Sequence, residues 1–120
     1  MQLGPLEEKV METIWQEGGE TTVRDVWEKY FEKDYAYTTI LTIFQKLEKK
    51  GLIRGELRGK VKFYMPLVSR DDYYKKKVEE ILTEVLNKNP NAAYLFFIEN
   101  TNLSEDDVKE ILRILKGKEE

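Results

Sequence analysis

The spacing of apolar residues changes twice along this chain, and these changes restrict the folds that it can adopt more than any other feature. Up to residue 50 the apolar residues recur every three or four positions, which predicts amphipathic helices. Between residues 52 and 66 they alternate with polar ones, as Val61, Phe63 and Met65 do, and this predicts a strand. From residue 70 the helical period returns. The sequence therefore predicts a mostly α chain that contains one β-hairpin.

The first half of the chain carries start and stop signals for three helices. Pro5 suits the first turn of a helix that ends at Gly18, and Thr22 suits the N-cap of a second helix. A third helix is expected from about Tyr37 to Lys50, and Gly51 would end it. These signals predict three consecutive short helices.

The hairpin follows the third helix directly. Leu52–Leu57 would pair with the alternating segment, Arg58-Gly59-Lys60 would form the turn, and Pro66 would end the ladder. Three helices followed by a two-stranded hairpin, the wing, is the order of a winged helix-turn-helix domain. We expect that domain over residues 1–67.

The second half, residues 68–120, is predicted to be helical throughout. Ser69 and Ser104 suit N-caps, and the segment Ala92–Glu99 is apolar on almost every side. About fifty residues cannot cover that much apolar surface alone, so we expect a helical dimerisation domain. The alternative is that these helices pack back onto the first half as one globule. The expected dimerisation residues are Tyr74, Val78, Leu82, Val85, Tyr94, Phe97, Ile111 and Leu115.

The third helix has two chemically different faces. At about 100° per residue, one stripe opposite Thr38 collects Ile40, Ile43, Phe44 and Leu47, while Leu41 flanks the other face. The other face carries hydroxyls, an amide and cations, which can bind base edges and phosphates. An ordinary solvated face is the alternative, although such a face is usually rich in Glu and Lys. The expected DNA-binding residues of this helix are Tyr37, Thr38, Thr39, Thr42, Gln45, Lys46 and Lys49.

The charge of the chain is unevenly distributed. The formal net charge is −3, with 20 Lys and Arg against 23 Asp and Glu, which does not favour a nucleic-acid partner. Residues 46–62 nevertheless hold seven basic and two acidic groups, whereas residues 1–45 hold four basic and nine acidic ones. Arg58, Lys60 and Lys62 in the hairpin are therefore expected to lie along DNA phosphates or to contact the minor groove. Protection of an edge strand by charge is the alternative explanation of a basic hairpin.

Composition argues against an enzyme. The chain has no Cys and no His, so the usual zinc ligands and the commonest nucleophile and base are missing. Both serines, Ser69 and Ser104, are explained as helix caps. We expect no catalytic site, no metal site and no cofactor. With neither a signal peptide nor a long apolar run, we expect a cytoplasmic chain with no membrane partner.

Two segments of the chain carry a recognisable pattern. The first is Leu3-Gly4-Pro5-Leu6-Glu7 with Val10-Met11 and Ile14-Trp15, and the second is Ala36-Tyr37-Thr38-Thr39-Ile40 with Thr42-Ile43 and Lys46-Leu47. They resemble the penicillinase repressor family, which includes the methicillin-resistance repressors. The resemblance implies a cytoplasmic homodimer that represses genes by binding operators with two-fold symmetry. It also implies base contacts from Thr38, Thr39, Thr42 and Lys46, with wing contacts near Arg58 and Lys60.

The chain departs from that family at its switch sites. Members that respond to β-lactams are cleaved between an Asn and a Phe, and Phe96 stands where that Asn would be. The copper-responsive branch carries a C-terminal cysteine cluster, which a chain without cysteine cannot have. The resemblance therefore carries over neither mode of signal sensing.

The sequence as a whole predicts a DNA-binding transcriptional repressor that acts as a homodimer on a double-stranded operator. The alternative is a winged-helix protein–protein interaction module that never binds DNA.

Overall fold

Eight helices and strands make up the chain in the computed structural model, which describes residues 3–117. They are α1 (Pro5–Glu17), α2 (Val23–Val26, continued by a π-helical turn over Trp27–Phe31), α3 (Tyr37–Lys49), β1 (Ile53–Arg58), β2 (Val61–Pro66), α4 (Arg70–Lys88), α5 (Pro90–Asn100) and α6 (Glu105–Gly117). The predicted fold class, mostly α with a winged helix-turn-helix, is confirmed. The chain divides into two compact units, of which the first ends at Tyr73 and the second begins at Tyr74.

Local hydrogen bonds fix the ends of the first helices. Gly18 adopts a left-handed conformation, with φ of 76°, and its N–H donates to the carbonyl of Trp15 at 3.0 Å, which ends α1. Thr22 Oγ1 accepts the N–H of Asp25 at 3.1 Å and so caps α2, as predicted. Gly51, with φ of 82°, follows α3.

The last turn of α2 is wider than an α-helical turn, which the apolar period did not predict. Trp27–Phe31 form a π-helical turn, and the indole N–H of Trp27 donates to the carbonyl of Tyr35 at 2.7 Å. The N–H of Tyr35 in turn donates to the carbonyl of Phe31 at 2.9 Å. These bonds fix the short connection that leads into α3.

The core of the first unit lies where α1, α2 and α3 meet the hairpin. Its most buried side chains are Val10, Met11, Ile14, Val26, Ile40, Phe44, Leu47, Ile53 and Tyr64. Phe44 and Tyr64 stack edge to face, with ring centroids 5.0 Å apart, so the inner face of α3 is joined to the wing by an aromatic pair.

The wing is an antiparallel hairpin with a two-residue turn. Arg58 pairs with Val61 at the tip, and Pro66 occupies the last position of the ladder opposite Ile53. The turn is one residue shorter than predicted, because Gly59 takes a left-handed φ of 63° that closes a tight turn. Thr21 bridges Tyr64 on the other side of β2, which ties the α1–α2 connection to the wing.

The second unit consists of helices with few buried side chains. Within its described residues, only Leu86, Ala93 and Val108 are fully buried. α5 is longer than predicted, because Asn89 Oδ1 accepts the N–H of Ala92 at 3.2 Å and starts the helix at Pro90. Among residues 3–117, no helix combines the length and apolarity needed to cross a membrane.

Candidate nucleic-acid interface

The two faces of α3 are separated as the helical period requires. Ile40, Phe44 and Leu47 are fully buried and Ile43 is 7% exposed, so one face belongs to the core. On the opposite face the structure exposes Thr38, Thr39, Thr42, Gln45, Lys46 and Lys49. Six of the seven residues expected to face DNA from this helix thus share one open surface.

One hydroxyl on that surface already has a partner. Thr42 Oγ1 lies 2.9 Å from the carbonyl oxygen of Thr38, one turn earlier. A carbonyl only accepts, so the hydroxyl donates its single proton inside the helix. Toward solvent, Thr42 therefore presents its methyl group and the lone pairs of its oxygen.

Tyr37 differs from the other predicted residues, because it is half-buried. Its ring packs edge-on against Trp27, with centroids 5.7 Å apart, and the guanidinium of Arg24 lies 5.1 Å above it. Arg24 is exposed in the first turn of α2 and was missed by the sequence analysis. Its position two residues after the N-cap Thr22 was the available signal.

Arg58 is held against the body of the first unit. Its Nη1 and Nη2 lie 2.7 and 2.8 Å from the two carboxylate oxygens of Glu20, and its guanidinium lies 4.9 Å above the ring of Phe63. The hydrogen bond to Glu20, with a weaker one to Glu56, raises the pKa of Arg58, while Arg58 lowers that of Glu20. This cation is thus fixed at the tip of the wing by a two-pronged ion pair.

Lys62 is also paired within the chain. Its Nζ lies 2.9 Å from Glu48 Oε1 and 5.3 Å from the centroid of the Tyr64 ring. The hydrogen bond between the two side chains lowers the pKa of Glu48 and raises that of Lys62. Lys62 is one of the predicted DNA-binding residues, and the structure directs its amino group to the end of α3.

Three of the predicted cations lie outside the ion pairs of the described residues. Within residues 3–117, Lys46, Lys49 and Lys60 form no ion pair and are exposed. A cleft of about 550 Å³ is lined by the first turn of α2, by α3 and by the wing, and Gln45 and Lys60 are among its lining residues. Gln45 of the exposed face of α3 and Lys60 of the wing therefore border one concave surface, whose lining carries three cations and one carboxylate and can hold a polyanion.

No arrangement in the described residues resembles a metal site. Groups of three or more potential ligands are absent from residues 3–117, and the full sequence lacks His and Cys. The chemistry that this surface offers is hydrogen bonding, apolar contact and positive charge.

The comparison with known proteins decides the family. The sequence profile of the penicillinase repressor family matches residues 3–117, nearly the whole chain. The chain belongs to that family. The penicillinase repressor of Bacillus licheniformis is 30% identical over 115 residues, which cover 96% of this chain and 90% of the relative. The methicillin resistance regulatory protein MecI of Staphylococcus aureus strain N315 is 29% identical over 117 residues, which cover 98% of this chain and 95% of the relative.

Other members of the penicillinase repressor family agree with this assignment. The transcriptional regulator BlaI of Mycobacterium tuberculosis is 32% identical over 107 residues, which cover 88% of this chain and 78% of the relative. The solution structure of the DNA-binding domain of the repressor BlaI superposes with a TM-score of 0.53 at 27% identity, covering 60% of this chain and 88% of the other. The chain is thus a member of a family of transcriptional repressors rather than of an enzyme family.

The residues expected to form a dimer interface are mostly half-buried within this member of the family. Tyr74, Leu82, Val85, Tyr94, Phe97, Ile111 and Leu115 are partly covered, and Val78 is exposed. The large apolar side chains with the most open surface in the second unit are a partly different set, namely Val78, Ile81, Leu95, Phe96, Leu103 and Ile114. Only Val78 belongs to both sets, and for Leu95 and Phe96 the reason is that α5 is apolar all round, so that its period does not show which side faces outward.

Proposed function

We propose that this penicillinase repressor family member represses transcription by binding double-stranded DNA as a homodimer, with α3 in the major groove and the wing on the adjacent backbone. The observation that carries the proposal is the outer face of α3, where three threonines, Gln45 and two lysines are all exposed beside a basic wing. Threonine and glutamine can contact base edges, and lysine can contact phosphates or guanine. Such a repressor acts in the cytoplasm, where bacterial DNA lies.

Charge separation supports this orientation on DNA. Residues 46–62 carry seven basic against two acidic groups, and both segments beside them are net acidic. A local basic surface attracts the duplex, while the acidic remainder is repelled by it. The net charge of −3 is therefore compatible with a single docking face.

The cations are not equivalent in this proposal. Lys46, Lys49 and Lys60 have no ion-pair partner in the described structure and can reach phosphates without losing a contact. Arg58 must exchange or share Glu20, to which it is bonded at 2.7 and 2.8 Å. We expect the three free lysines to supply most of the salt-dependent affinity.

The second unit supports homodimerisation. Its described residues bury only Leu86, Ala93 and Val108 completely, while Phe96 and Ile81 are 56% and 53% exposed. Large apolar groups left open on a small helical unit are typical of an interface. A second copy of the chain would cover them and would present two α3 helices to grooves about 34 Å apart, as two-fold helix-turn-helix dimers do.

Selection from a random DNA pool, followed by a salt titration, tests the proposal. The full chain should enrich duplexes with two inverted half-sites, and the logarithm of the association constant should fall steeply and linearly with the logarithm of the salt concentration. A duplex of the same length with scrambled half-sites is the control. Failure to enrich any sequence, together with a salt-insensitive association with other proteins, would instead support a protein–protein interaction module.

A further inference from the structure

We propose that Glu48, Gly55 and Lys62 form a clasp that fixes the wing to the end of α3, and that Lys62 serves DNA binding through this clasp rather than by contacting a phosphate. The inference rests on the proposed function, because its consequence is the relative placement of two DNA-binding elements. Glu48 and Lys62 are thus positioning residues.

A single carboxylate connects α3 to both strands of the wing. Glu48 lies in the last turn of α3, next to the expected contact residue Lys49. Its Oε1 accepts from Lys62 Nζ of β2 at 2.9 Å, and its Oε2 accepts from the backbone N–H of Gly55 in β1 at 3.0 Å. The wing can therefore not rotate about its base without breaking one of these bonds.

The strand register explains why the N–H of Gly55 is available. Tyr64 stands opposite Gly55 in the ladder, and its own N–H and carbonyl bond to Thr21 at 2.8 and 3.0 Å. Because the polar groups of Tyr64 point toward Thr21, the N–H of Gly55 points to the outer edge of β1. Glu48 lies at that edge and satisfies a donor that would otherwise be open to a foreign strand.

Glycine at position 55 makes room for the lysine. A Cβ at Gly55 would collide with Cε of Lys62 and would lie 3.0 Å from the Tyr64 ring. The stem of Lys62 therefore crosses the wing directly over Gly55 on its way to Glu48. The amino group also lies 5.3 Å from the centroid of the Tyr64 ring, which fixes its direction.

The contrast with Lys60 separates the clasp from ordinary surface charge. An isolated exposed ion pair contributes little, but this carboxylate also accepts a backbone N–H, and charge-assisted bonds of that kind are stronger. Lys60 lies two residues before Lys62 and has no ion pair in the described part of the chain. Two lysines of the wing, one in its turn and one in β2, are thus expected to act on DNA in different ways.

If Glu48 acts only through its charge, its removal should raise the affinity for DNA, whereas if it forms the clasp, its removal should lower that affinity. Electrostatics alone predicts that Glu48→Met tightens DNA binding, since a negative charge leaves a surface that faces phosphates. The clasp predicts that specific affinity falls about three- to tenfold, as expected when a charge-assisted network is lost. Glu56→Met is the matched control, with the same charge change on the wing but outside the clasp, and it should bind equally well or more tightly. Tighter binding by Glu48→Met would overturn the proposal.

Salt dependence separates the roles of the two lysines. Lys60→Met should reduce the salt slope by about 0.9 for each protomer, as loss of one phosphate contact requires. Lys62→Met should weaken DNA binding and leave the salt slope unchanged. Gly55→Ala should have the same two effects, because it alters no charge but displaces Lys62. An equal fall in slope for Lys62→Met and Lys60→Met would show that Lys62 contacts a phosphate.

Amide exchange in the free, full-length protein tests the clasp without DNA. In Glu48→Met, the Gly55 amide should exchange at least about tenfold faster, because its acceptor is gone, while the Tyr64 amide bonded to Thr21 reports that the wing is still folded. Unchanged exchange at Gly55 would refute the clasp. A native chain that showed the protected Gly55 amide but enriched no DNA would refute the proposed function instead.

Discussion

The hydroxyl of Thr42 is engaged inside its own helix, and this decides which of its atoms can read a base pair. The hydroxyl donates its proton to the carbonyl of Thr38 at 2.9 Å, which leaves the methyl group as its main outward feature. We expect that methyl to contact the methyl group of a thymine. Thr42→Val keeps the shape and the methyl, so it should bind the selected operator within about twofold of the native chain. Thr42→Ser keeps the hydroxyl and loses the methyl, so it should bind more weakly.

The size of the effect follows from the burial of one methyl group. That burial is worth about 0.8 kcal/mol, which is a factor of about four at 25 °C. A homodimer would make the contact in both half-sites, so the affinity of Thr42→Ser for the operator should fall about fifteenfold if the half-sites are independent. Position 42 is exposed, and neither substitution should change the free energy of unfolding by more than about 0.5 kcal/mol.

Fluorescence anisotropy with labelled operator duplexes measures this prediction directly. Deoxyuridine in place of the contacted thymine removes the partner methyl from the DNA. The native chain should lose affinity on that duplex, whereas Thr42→Ser should lose nothing further, since its own methyl is already gone. If Thr42→Val binds about fifteenfold more weakly and Thr42→Ser binds normally, the hydroxyl reads the base and the reasoning is wrong.

Three further predictions concern stability and assembly. The hydrogen bond from Lys50 is the main reason that the pKa of Glu7 lies below its ordinary 4.5, so the stability from this pair is present above pH 4.5 and is lost as the pH falls through the lowered value. The difference in melting temperature between the native chain and Glu7→Gln should therefore shrink in calorimetry below pH 4.5, and a difference constant with pH would contradict this. Phe44 is fully buried, so Phe44→Ala should cost about 3–5 kcal/mol in urea unfolding, and a cost below about 1 kcal/mol would show that the site is not packed as described. Phe96→Glu places a charge on the most open aromatic of α5, and light scattering should change from twice 14.3 kDa to 14.3 kDa, whereas a persistent dimer would exclude this face from the interface.

Local signals explain how much of the fold could be predicted from sequence. Thr22, Ser69 and Ser104 each accept a backbone N–H three residues later, because an N-cap needs only a short side-chain oxygen before a helical segment. The buried stripe of α3 and the existence of β2 were predictable, since each depends on a period within a few residues. The buried face of β2 was not, because Tyr64 is buried whereas Val61 and Met65 of the apolar alternation are exposed. The π-helical turn after Val26 was not, because the Trp27–Tyr35 bond that accompanies it has no periodic signature.

The candidate site was predictable as a surface but not as a set of contacts. The exposed face of α3 follows from helical geometry alone. The pairing of Lys62 with Glu48 and of Arg58 with Glu20 depends on how the wing folds back, which brings together residues 14 and 38 positions apart. No local sequence pattern distinguishes Arg58 and Lys62, which form ion pairs, from Lys60, which lies between them in the sequence.

The beginning of α4 has a practical consequence for dividing this protein. The indole N–H of Trp15 donates to the carbonyl of Val68 at 2.9 Å, and the ring of Trp15 packs on Tyr73 with centroids 5.5 Å apart. Arg70 pairs with Glu12 at 3.0 Å. A fragment that stops at residue 67 would remove all three partners and would leave the tryptophan exposed to water. The smallest autonomous DNA-binding fragment of this repressor should therefore keep the first turn of the following helix and end after Tyr73.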